Sequence, residues 1–304
     1  MPYVEGKYVW MDGTFVPWKD ANVHVMSHAL HYGTAAFEGI RAYPSGRQMY
    51  VFRLPEHLKR LVNSCKIFGF DLKYSVQEMR KATVETVKRN DLHEKCYVRP
   101  LVYIGFGGMG INFTGFPVHM AVLAYPFEKY FKGDGVAAMV STWRRTSDQT
   151  GSPLAKISGQ YTNSVLGKME AVKHGFDECI LLDLQGRVSE GSGENIFLVE
   201  DGKLVTPSVA SSILEGITRF SVIKIAADMG IATVERDVSR SELYVADEVF
   251  FSGTAAEITP ITSVDRRNVS DRKEGPITAK IRAAYMKAVA GEDPRYTPWL
   301  TAVY

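Results

Sequence analysis

The chain of 304 residues has few of the features that mark membrane or secreted proteins. None of its apolar runs approaches the roughly 18 residues that a membrane span needs, and its first residues lack the basic and then apolar pattern of a signal peptide. Its three cysteines are far apart, which argues against a disulfide framework or a metal knuckle. With 36 Lys+Arg against 34 Asp+Glu, no charge excess favours nucleic acid or an acidic membrane as a partner. We therefore expect a cytoplasmic protein with reduced cysteines and neither a nucleic-acid nor a membrane partner.

The motifs of two common enzyme classes are also missing. The sequence has no G-x-S-x-G elbow and no Walker loop, which disfavours hydrolysis by that route and phosphoryl transfer. Three nearby histidines, His24, His28 and His31, suggest a metal site at first. No carboxylate or cysteine stands beside them at a customary ligand spacing, so we predict no metal.

The length of the chain exceeds that at which a single hydrophobic core usually keeps growing, so two domains are predicted. The stretch YPFEKYFKGDG is polar, aromatic and glycine-containing, as is typical of a domain connection. We assign a small domain to residues 1–125, the connection to 126–135 and a large domain to 136–304. Strands and helices mix without strict βαβ alternation, which predicts an α+β fold for both domains.

Local patterns predict most of the secondary structure. Asp12-Gly13 and Pro44-Ser45-Gly46 are hairpin turns between alternating segments. Residues 178–207 are expected to form three strands. Apolar spacing, caps and terminal glycines predict helices at residues 55–68, 75–90, 160–175, 217–229 and 277–289.

One lysine stands in an apolar setting. SPLAKISGQY, residues 152–161, surrounds Lys156 with Pro, Leu, Ala and Ile and contains no acidic residue. Burying an unpaired ammonium is costly and favours the neutral amine, which is a nucleophile. The alternative is an inert Lys156 that lies along an apolar surface with its ammonium in water.

Two glycine-led turns have the design of an anion site. In LEGITRF, Gly216 precedes a helix, so the N–H groups of Ile217 and Thr218 point outward with the positive end of the helix dipole. SGTAAEIT, residues 252–259, is interpreted in the same way, with Thr254 and Ala255 after a glycine. Either segment could instead be an ordinary helix start.

Two further stretches carry charged groups. VSEGSGENIF has Glu190 and Glu194 in a loop of small residues, where they are either buried acids beside a ligand or solvated acids of a hairpin. In CYVRPLVYIG, Tyr97 and Arg99 share one strand face, which suits carboxylate binding or is an exposed face. An amine, a carboxylate and phosphate-binding turns are the parts needed to hold pyridoxal phosphate as a Schiff base.

Six segments, in order along nearly the whole chain, resemble those of the branched-chain amino-acid aminotransferases, which are fold type IV pyridoxal phosphate enzymes of the class IV aminotransferase family. They are HALHYGTAAFEGIRAY, YVRPL, AKISGQY, SEGSGENIF, EGITR and SGTAAEITP. The resemblance implies an α+β enzyme with a small N-terminal α/β domain and a larger C-terminal domain with a mixed, barrel-like sheet. It also implies a homodimer or higher homo-oligomer, in which a loop from a second subunit completes a site between the domains.

The resemblance assigns the cofactor-binding residues. Lys156 would form the Schiff base and move the proton, Glu190 would pair with the pyridine nitrogen, and Tyr161 would bind the phenolic oxygen. The phosphate would be bound by Arg60, Ile217, Thr218 and Thr254. From the sequence alone Arg60 looks like a surface residue, because it lies off the apolar stripe of its helix.

The resemblance also assigns the substrate-binding residues. The α-carboxylate would bind to Tyr97, Thr254 and Ala255, and the distal carboxylate of glutamate or 2-oxoglutarate to Arg99. Tyr32, Phe37 and Tyr130 would wall an apolar pocket.

The implied reaction is transamination of L-leucine, L-isoleucine and L-valine with 2-oxoglutarate, in branched-chain amino-acid biosynthesis. The partners are thus small amino acids and 2-oxo acids. A D-amino-acid or (R)-amine aminotransferase, an aminodeoxychorismate lyase and a non-catalytic cofactor carrier are the alternatives. Two departures from the family pattern affect specificity more than reaction type: Glu215 replaces the proline of L-P-G-I-T-R, and the loop around Met109 has extra Phe and Gly.

Overall fold

The computed structural model describes residues 4–304. Its first elements are β1 Tyr8–Met11, β2 Thr14–Pro17, α1 His28–Tyr32, β3 Ala35–Phe37, β4 Ile40–Ser45, β5 Gln48–Phe52, α2 Leu54–Ile67, α3 Val76–Arg89, β6 Cys96–Ile104, β7 Val118–Pro126 and β8 Val136–Arg144. They are followed by α4 Tyr161–Lys173, β9 Glu178–Leu182, β10 Val188–Gly191, β11 Asn195–Glu200, β12 Lys203–Pro207, α5 Ile217–Asp228, β13 Thr233–Arg236, β14 Glu248–Gly253, β15 Glu257–Val264, β16 Arg267–Asn268, α6 Pro276–Val289 and β17 Leu300–Ala302.

The chain divides into two compact units. The first unit contains the residues up to Glu128 together with Ala155–Gln160 and Ala288–Tyr304, and the second contains Lys129–Leu154 and Tyr161–Lys287. Among residues 4–304 we find no helix with the length and apolar character to cross a membrane.

The first unit is built on a sheet in the order β17-β5-β4-β6-β7-β1-β2, with β3 paired to β6. Helices α2 and α3 contribute Leu58, Leu61 and Met79 to the core that covers this sheet. Both helices were predicted, and the capping box of Ser75 and Glu78 at the start of α3 is confirmed.

The hairpin turn at Asp12-Gly13 is confirmed, because β1 and β2 pair on either side of it. The second turn lies one residue later than predicted. Pro44 and Ser45 belong to β4, where they pair with Met49 and Gln48, so the turn itself is Gly46-Arg47.

Two segments that the sequence analysis assigned to the large domain lie in the first unit. Ile157 forms a bridge with Ala36, and Ala155 and Ile157 are buried in the first core. Strand β17 pairs with β5 at the edge of the first sheet. Apolar burial therefore fixes the segment that carries Lys156 to the first unit, although it is remote in sequence.

The second unit is built on a sheet in the order β10-β9-β8-β15-β14-β11-β12-β13, with β16 paired to β15. Strand β8 is parallel to β9 and β15, β12 is parallel to β13, and the other pairs are antiparallel. The sheet is thus mixed, and the predicted α+β class is confirmed.

Two predictions for this unit were wrong. Residues 178–207 form four strands, β9 to β12, because a turn at residues 192–194 separates β10 from β11. SGTAAEIT does not lead into a helix: Thr254 and Ala255 lie in the turn that joins the antiparallel strands β14 and β15. The apolar alternation of EITPITSV favours the strand after the turn.

Several acids lie in the interior of the second unit, among them Glu178 and Glu194. Glu178 is fully buried and pairs with Lys168 at 2.7 Å. Glu194 is 4% exposed and accepts a hydrogen bond from the N–H of Gly193 at 3.1 Å. Burial first, and then the negative charge of Glu178, raise the pKa of Glu194 to about 8. Glu194 therefore holds a proton at neutral pH.

The protonated state of Glu194 predicts a pH-dependent stability. Because its pKa is about 8 in the folded chain and ordinarily 4.5, the folded state holds a proton between these pH values that the unfolded state has lost. The resulting stabilisation is complete below pH 4.5 and is lost as the pH rises to about 8. The side chain of Glu194→Gln is neutral at every pH, so the variant does not lose this stabilisation. Its free energy of unfolding, relative to that of the wild type, should therefore rise by on the order of 3 kcal/mol between about pH 5.5 and 8.5.

Denaturant unfolding at both pH values measures this gain, with the exposed Glu292→Gln as the control. A difference between Glu194→Gln and wild type that stays constant with pH would contradict the assignment.

Candidate functional site

The peptide groups on both sides of Lys156 are held by the first unit. The N–H of Lys156 donates to Ser64 Oγ at 2.9 Å, and its carbonyl accepts from the N–H of Phe37 at 3.0 Å. Ser64 Oγ in turn donates to the carbonyl of Arg60 at 2.9 Å. The backbone that carries the lysine is therefore fixed to α2 and to β3.

A close glycine contact allows this arrangement. Gly33 ends α1 in the left-handed conformation, at φ 68°, and its carbonyl accepts from the N–H of Gly159 at 3.0 Å. A Cβ at Gly33 would lie 2.5 Å from the Cα of Gly159, which no side chain permits. The glycines of HYG and of K-x-x-G thus pack against each other.

Phe37 brings together three of the predicted site residues. Its ring centre lies 5.1 Å from Lys156 Nζ and 4.5 Å from Cζ of Arg99. Arg99 Nη2 also donates to the hydroxyl of Tyr97 at 3.3 Å. Lys156 and Arg99 are half-buried, whereas Phe37 and Tyr97 are buried. An amine, a guanidinium and aromatic surface therefore meet in the first unit.

Arg60 is not the surface residue that its sequence position suggests. Its side chain is only 12% exposed and pairs with the fully buried carboxylate of Glu38. Nε donates to Oε1 at 2.7 Å and Nη2 to Oε2 at 2.8 Å. Glu38 lies on the segment between β3 and β4. Because its carboxylate is buried there, the ion pair draws the Arg60 guanidinium away from solvent.

In the second unit, Glu190 is a buried carboxylate surrounded by donors. Arg145 Nε donates to Oε1 at 2.6 Å. Asn195 Nδ2 and the N–H of Leu214 donate to Oε2, at 2.9 and 3.1 Å. The alternative of a solvated acid on a hairpin is wrong, because Glu190 is 5% exposed. Three donors, one of them a guanidinium, favour the ionised carboxylate.

Asn195 also joins Glu190 to the start of α5. Its Nδ2 donates to the carbonyl of Leu214 at 2.9 Å, and a Cβ at Gly216 would lie 1.8 Å from its Oδ1. Gly216 is the N-cap of α5 and no side chain caps the helix. Ile217 and Thr218, both buried, begin the helix as predicted. The uncapped first turn can donate its N–H groups to an anion.

The turn between β14 and β15 and the predicted domain connection meet at one cavity in the second unit. Ala255 and Tyr130 both line it, and its volume is about 380 Å³. Thr254 lies in the same turn and is half-buried. Donation from this turn to an anion does not need the helix that the sequence analysis expected, since turns of the backbone also form anion sites.

The remaining predicted residues lie at element ends. Tyr161 is half-buried and begins α4. Tyr32 is 40% exposed at the end of α1 and packs on the ring of His28. His28 bonds Thr34 Oγ1 at 2.8 Å and the carbonyl of Gly110 at 2.9 Å, so both of its ring nitrogens serve the fold. Glu215 is exposed.

Sequence reasoning missed several residues that hold the site. Arg145 follows a strand in WRRTSD, with no pattern that distinguishes it from Arg144. Asn195 and Glu38 stand inside segments that were singled out. A single acid in the otherwise apolar run AAFEGI, at Glu38, was a signal that a cationic partner had to be found.

Each of the two units, taken by itself, presents groups of the kind that bind pyridoxal phosphate. The first unit supplies a half-buried amine at Lys156 and an oriented guanidinium at Arg60, and the second supplies an anionic carboxylate at Glu190 and an uncapped helix start at Gly216. These donors and acceptors match an aldehyde, a phosphate and a protonated pyridine nitrogen. Asn195 would occupy the space of any side chain at 216, which preserves the helix start for an anion.

The pair of Arg145 and Glu190 predicts a large stability effect. Arg145→Ala removes the cation from a carboxylate with 6% exposure, and breaking a buried pair in this way costs about 3–5 kcal/mol. The exposed neighbour Arg144→Ala should cost less than about 1 kcal/mol. Urea unfolding of the two variants measures the difference. Equal free energies of unfolding would refute the role of Arg145.

Comparisons with known proteins show the family of the chain. The model of the Amino-transferase class IV family matches residues 35–264. Branched-chain-amino-acid aminotransferase of Salmonella typhimurium (strain LT2) is 46% identical over 301 residues, which is 97% of each chain.

Two solved structures resemble the whole chain. The branched-chain aminotransferase of the thermophilic archaeon Thermoproteus uzoniensis, solved with norvaline, is 47% identical with a TM-score of 0.95 and covers 98% of this chain and 100% of its own. The T.th. branched-chain amino acid aminotransferase, solved in complex with N-(5'-phosphopyridoxyl)-L-glutamate, is 43% identical with a TM-score of 0.95, covering 99% of this chain and 100% of its own.

These likenesses extend over nearly all of both chains, and they confirm the resemblance found in the six segments and the fold type IV architecture. The chain is therefore an enzyme that belongs to the class IV amino-transferase family and, within it, to the branched-chain-amino-acid aminotransferases.

Proposed function

We propose that this enzyme uses pyridoxal phosphate to transfer the amino group of L-leucine, L-isoleucine and L-valine to 2-oxoglutarate, giving branched-chain 2-oxo acids and L-glutamate. The proposal rests mainly on the groups around the ring of Phe37. Lys156 Nζ lies 5.1 Å from the ring centre, and Cζ of the Arg99 guanidinium lies 4.5 Å from it. A nucleophile, an apolar surface and a carboxylate-binding fork meet there. An enzyme that accepts both an aliphatic side chain and a second carboxylate needs these groups.

The ligands of the two structural relatives support this dual demand. The T. uzoniensis enzyme was solved with norvaline, an amino acid with an aliphatic side chain. The T.th. enzyme was solved with a phosphopyridoxyl adduct of L-glutamate, which carries a second carboxylate.

The protein groups act around the reacting atoms. When bound, pyridoxal phosphate supplies an aldehyde that takes the amino group and a ring that withdraws electrons from the substrate Cα. Lys156 Nζ is the base that removes the proton from Cα and returns it. Glu190, which accepts a bond from Arg145, would hold the proton on the ring nitrogen, and the hydroxyl of Tyr161 would donate to the phenolic oxygen.

The phosphate would be held by donors of several kinds. The Arg60 guanidinium would supply a charge, the uncapped start of α5 would supply N–H groups, and Thr254 would supply a hydroxyl. Their full set is Arg60, Ile217, Thr218 and Thr254. Charge-assisted bonds of this kind are stronger than neutral ones and bind the phosphate firmly.

The substrate is held by its carboxylates and its side chain. Tyr97, Thr254 and Ala255 receive the α-carboxylate, and Arg99 receives the distal carboxylate of glutamate. The aliphatic side chain packs on Tyr32, Phe37 and Tyr130. A fork that rests on an aromatic ring is desolvated on one face, which lowers the cost of placing an apolar side chain beside it.

We also propose a homodimer or a higher homo-oligomer in the cytoplasm. Several large apolar side chains of α1 and of the loop around Met109 are exposed: Leu30 is 64%, Met109 65% and Ile111 81% exposed. The two segments are neighbours, because His28 of α1 bonds the carbonyl of Gly110, and neighbouring exposed apolar side chains are typical of a protein interface. The three cysteines are free and buried, which suits a reducing compartment.

Amino-donor half-reactions test the proposed substrate class. We expect L-leucine, L-isoleucine and L-valine to convert the cofactor's visible absorption rapidly, whereas D-alanine and (R)-1-phenylethylamine react at least about tenfold more slowly, because the α-carboxylate and side-chain contacts discriminate among donors. Stopped-flow absorbance measures the rates, and Lys156→Ala is the control that should convert with no donor. Rapid conversion with D-alanine and none with L-leucine would overturn the proposal.

A further inference from the structure

We propose that Glu38 is a positioning residue that sets the affinity for the cofactor's phosphate by fixing the Arg60 guanidinium. This inference rests on the proposed function, because it takes Arg60 as a phosphate ligand. Glu38 itself donates no hydrogen bond to an anion when ionised, so it acts only through Arg60.

The geometry of the pair is bidentate. Nε and Nη2 of Arg60 donate to the two oxygens of Glu38 at 2.7 and 2.8 Å. A carboxylate that accepts from both Nε and Nη2 fixes the plane of the guanidinium. It therefore also fixes the direction in which the third nitrogen, Nη1, points. The Glu38 side chain is fully buried and that of Arg60 is 12% exposed, so solvent screens the pair weakly.

His57 holds the same carboxylate from the preceding turn of α2. Its Nδ1 lies 2.7 Å from Glu38 Oε2, and its side chain is 2% exposed. Burial lowers the pKa of His57, and Glu38 only partly reverses this effect, so the imidazole is neutral at pH 7. Nδ1 must then carry the hydrogen, since the ionised Glu38 can only accept. Two donors one turn apart on α2 therefore orient one carboxylate.

Glu38 keeps its charge despite burial. Burial would raise its pKa, but the charge and hydrogen bonds of Arg60, together with the hydrogen bond from His57, hold the pKa well below its usual range. Arg60 and Glu38 together carry no net charge beside the neutral His57. The charge of Lys156 also acts to lower the pKa of His57.

The backbone of Glu38 is equally fixed. Its N–H donates to the carbonyl of Pro100 at 2.9 Å, and the N–H of the preceding Phe37 donates to the carbonyl of Lys156 at 3.0 Å. The residue that orients Arg60 and the residue that holds the peptide of Lys156 are thus adjacent in the chain. A displacement of Glu38 would therefore move the Arg60 guanidinium relative to the amine of Lys156.

Charge alone predicts the opposite effect. A carboxylate close to an arginine repels a phosphate, so removing its charge would tighten phosphate binding if Glu38 acted only through its field. Positioning predicts weaker binding, because a glutamine turns an NH2 group towards one of the two Arg60 donors. The sign of the change therefore distinguishes the two accounts.

The test measures ligand binding to the full-length protein after its cofactor has been removed. Pyridoxal phosphate, inorganic phosphate and pyridoxal are titrated against wild type, Glu38→Gln, Glu38→Asp, Arg60→Gln and the control Glu56→Gln. Glu56 is a matched control because it lies on α2 and also pairs with an arginine, Arg53, which precedes the helix.

We expect Glu38→Gln and Glu38→Asp to weaken both phosphate ligands by at least about tenfold, equivalent to about 1.4 kcal/mol. The affinity of the Glu38 variants for pyridoxal should stay within about twofold of the wild-type value, because pyridoxal has no phosphate for Arg60 to bind. All affinities of Glu56→Gln should stay within the same range, because this substitution leaves the pair of Glu38 and Arg60 unchanged. Glu38→Asp keeps the negative charge but shortens its reach, so it separates geometry from charge. Retained pyridoxal binding shows that a variant is folded.

Three results would overturn the inference. The first is unchanged or tighter phosphate binding in the Glu38 variants together with weakened binding in Arg60→Gln. This result would refute the role of Glu38 and leave the role of Arg60 standing. Equal loss of pyridoxal and phosphate affinity in both Glu38 variants would reveal a general structural role. Wild-type phosphate binding in Arg60→Gln would refute the role of Arg60 in the proposed function, and that of Glu38 with it.

Discussion

The site depends on how the peptide of Lys156 is held. Its N–H is bound by Ser64 Oγ and its carbonyl by the N–H of Phe37, while Ala155 and Ile157 on either side are buried in the first core. A lysine side chain has several rotatable bonds, so its amine is placed only as well as its backbone is fixed. With the backbone fixed in this way, the amine lies beside the ring of Phe37, which the Arg99 guanidinium also contacts.

Both units solve the same electrostatic problem in the same way. Glu38 in the first unit and Glu190 in the second are buried acids, and each accepts bonds from an arginine and from other donors. A buried carboxylate is tolerated only when it is paired and hydrogen-bonded. Glu194 shows the contrasting solution: with an N–H donor from Gly193 and the negative charge of Glu178 acting on it, it keeps its proton. Pairing with arginine thus distinguishes Glu38 and Glu190, which stay charged, from Glu194, which does not.

The sequence predicted local elements well and long-range contacts poorly. The capping box at Ser75 and the helix start at Gly216 follow from nearby residues, and both are observed. The strand after Thr254 was missed because glycine and threonine before apolar residues begin helices and turns alike. Family resemblance named Lys156, Arg60 and Glu190, but their partners Ser64, Glu38 and Arg145 are contacts over 22 to 92 residues. No local pattern encodes such distances, since tertiary packing decides them. The predicted domain limits of 125 and 136 remain predictions, and the segment Ala155–Gln160 illustrates why composition alone cannot set them.

The identity of the reactive amine is the central claim, and peptide mapping tests it most directly. The full-length protein with its cofactor is reduced with borohydride, digested and analysed by mass spectrometry. We predict that the phosphopyridoxyl group is found on the peptide that contains Lys156. A label on another lysine, such as Lys168 beside Glu178, or no label on any peptide, would contradict the account.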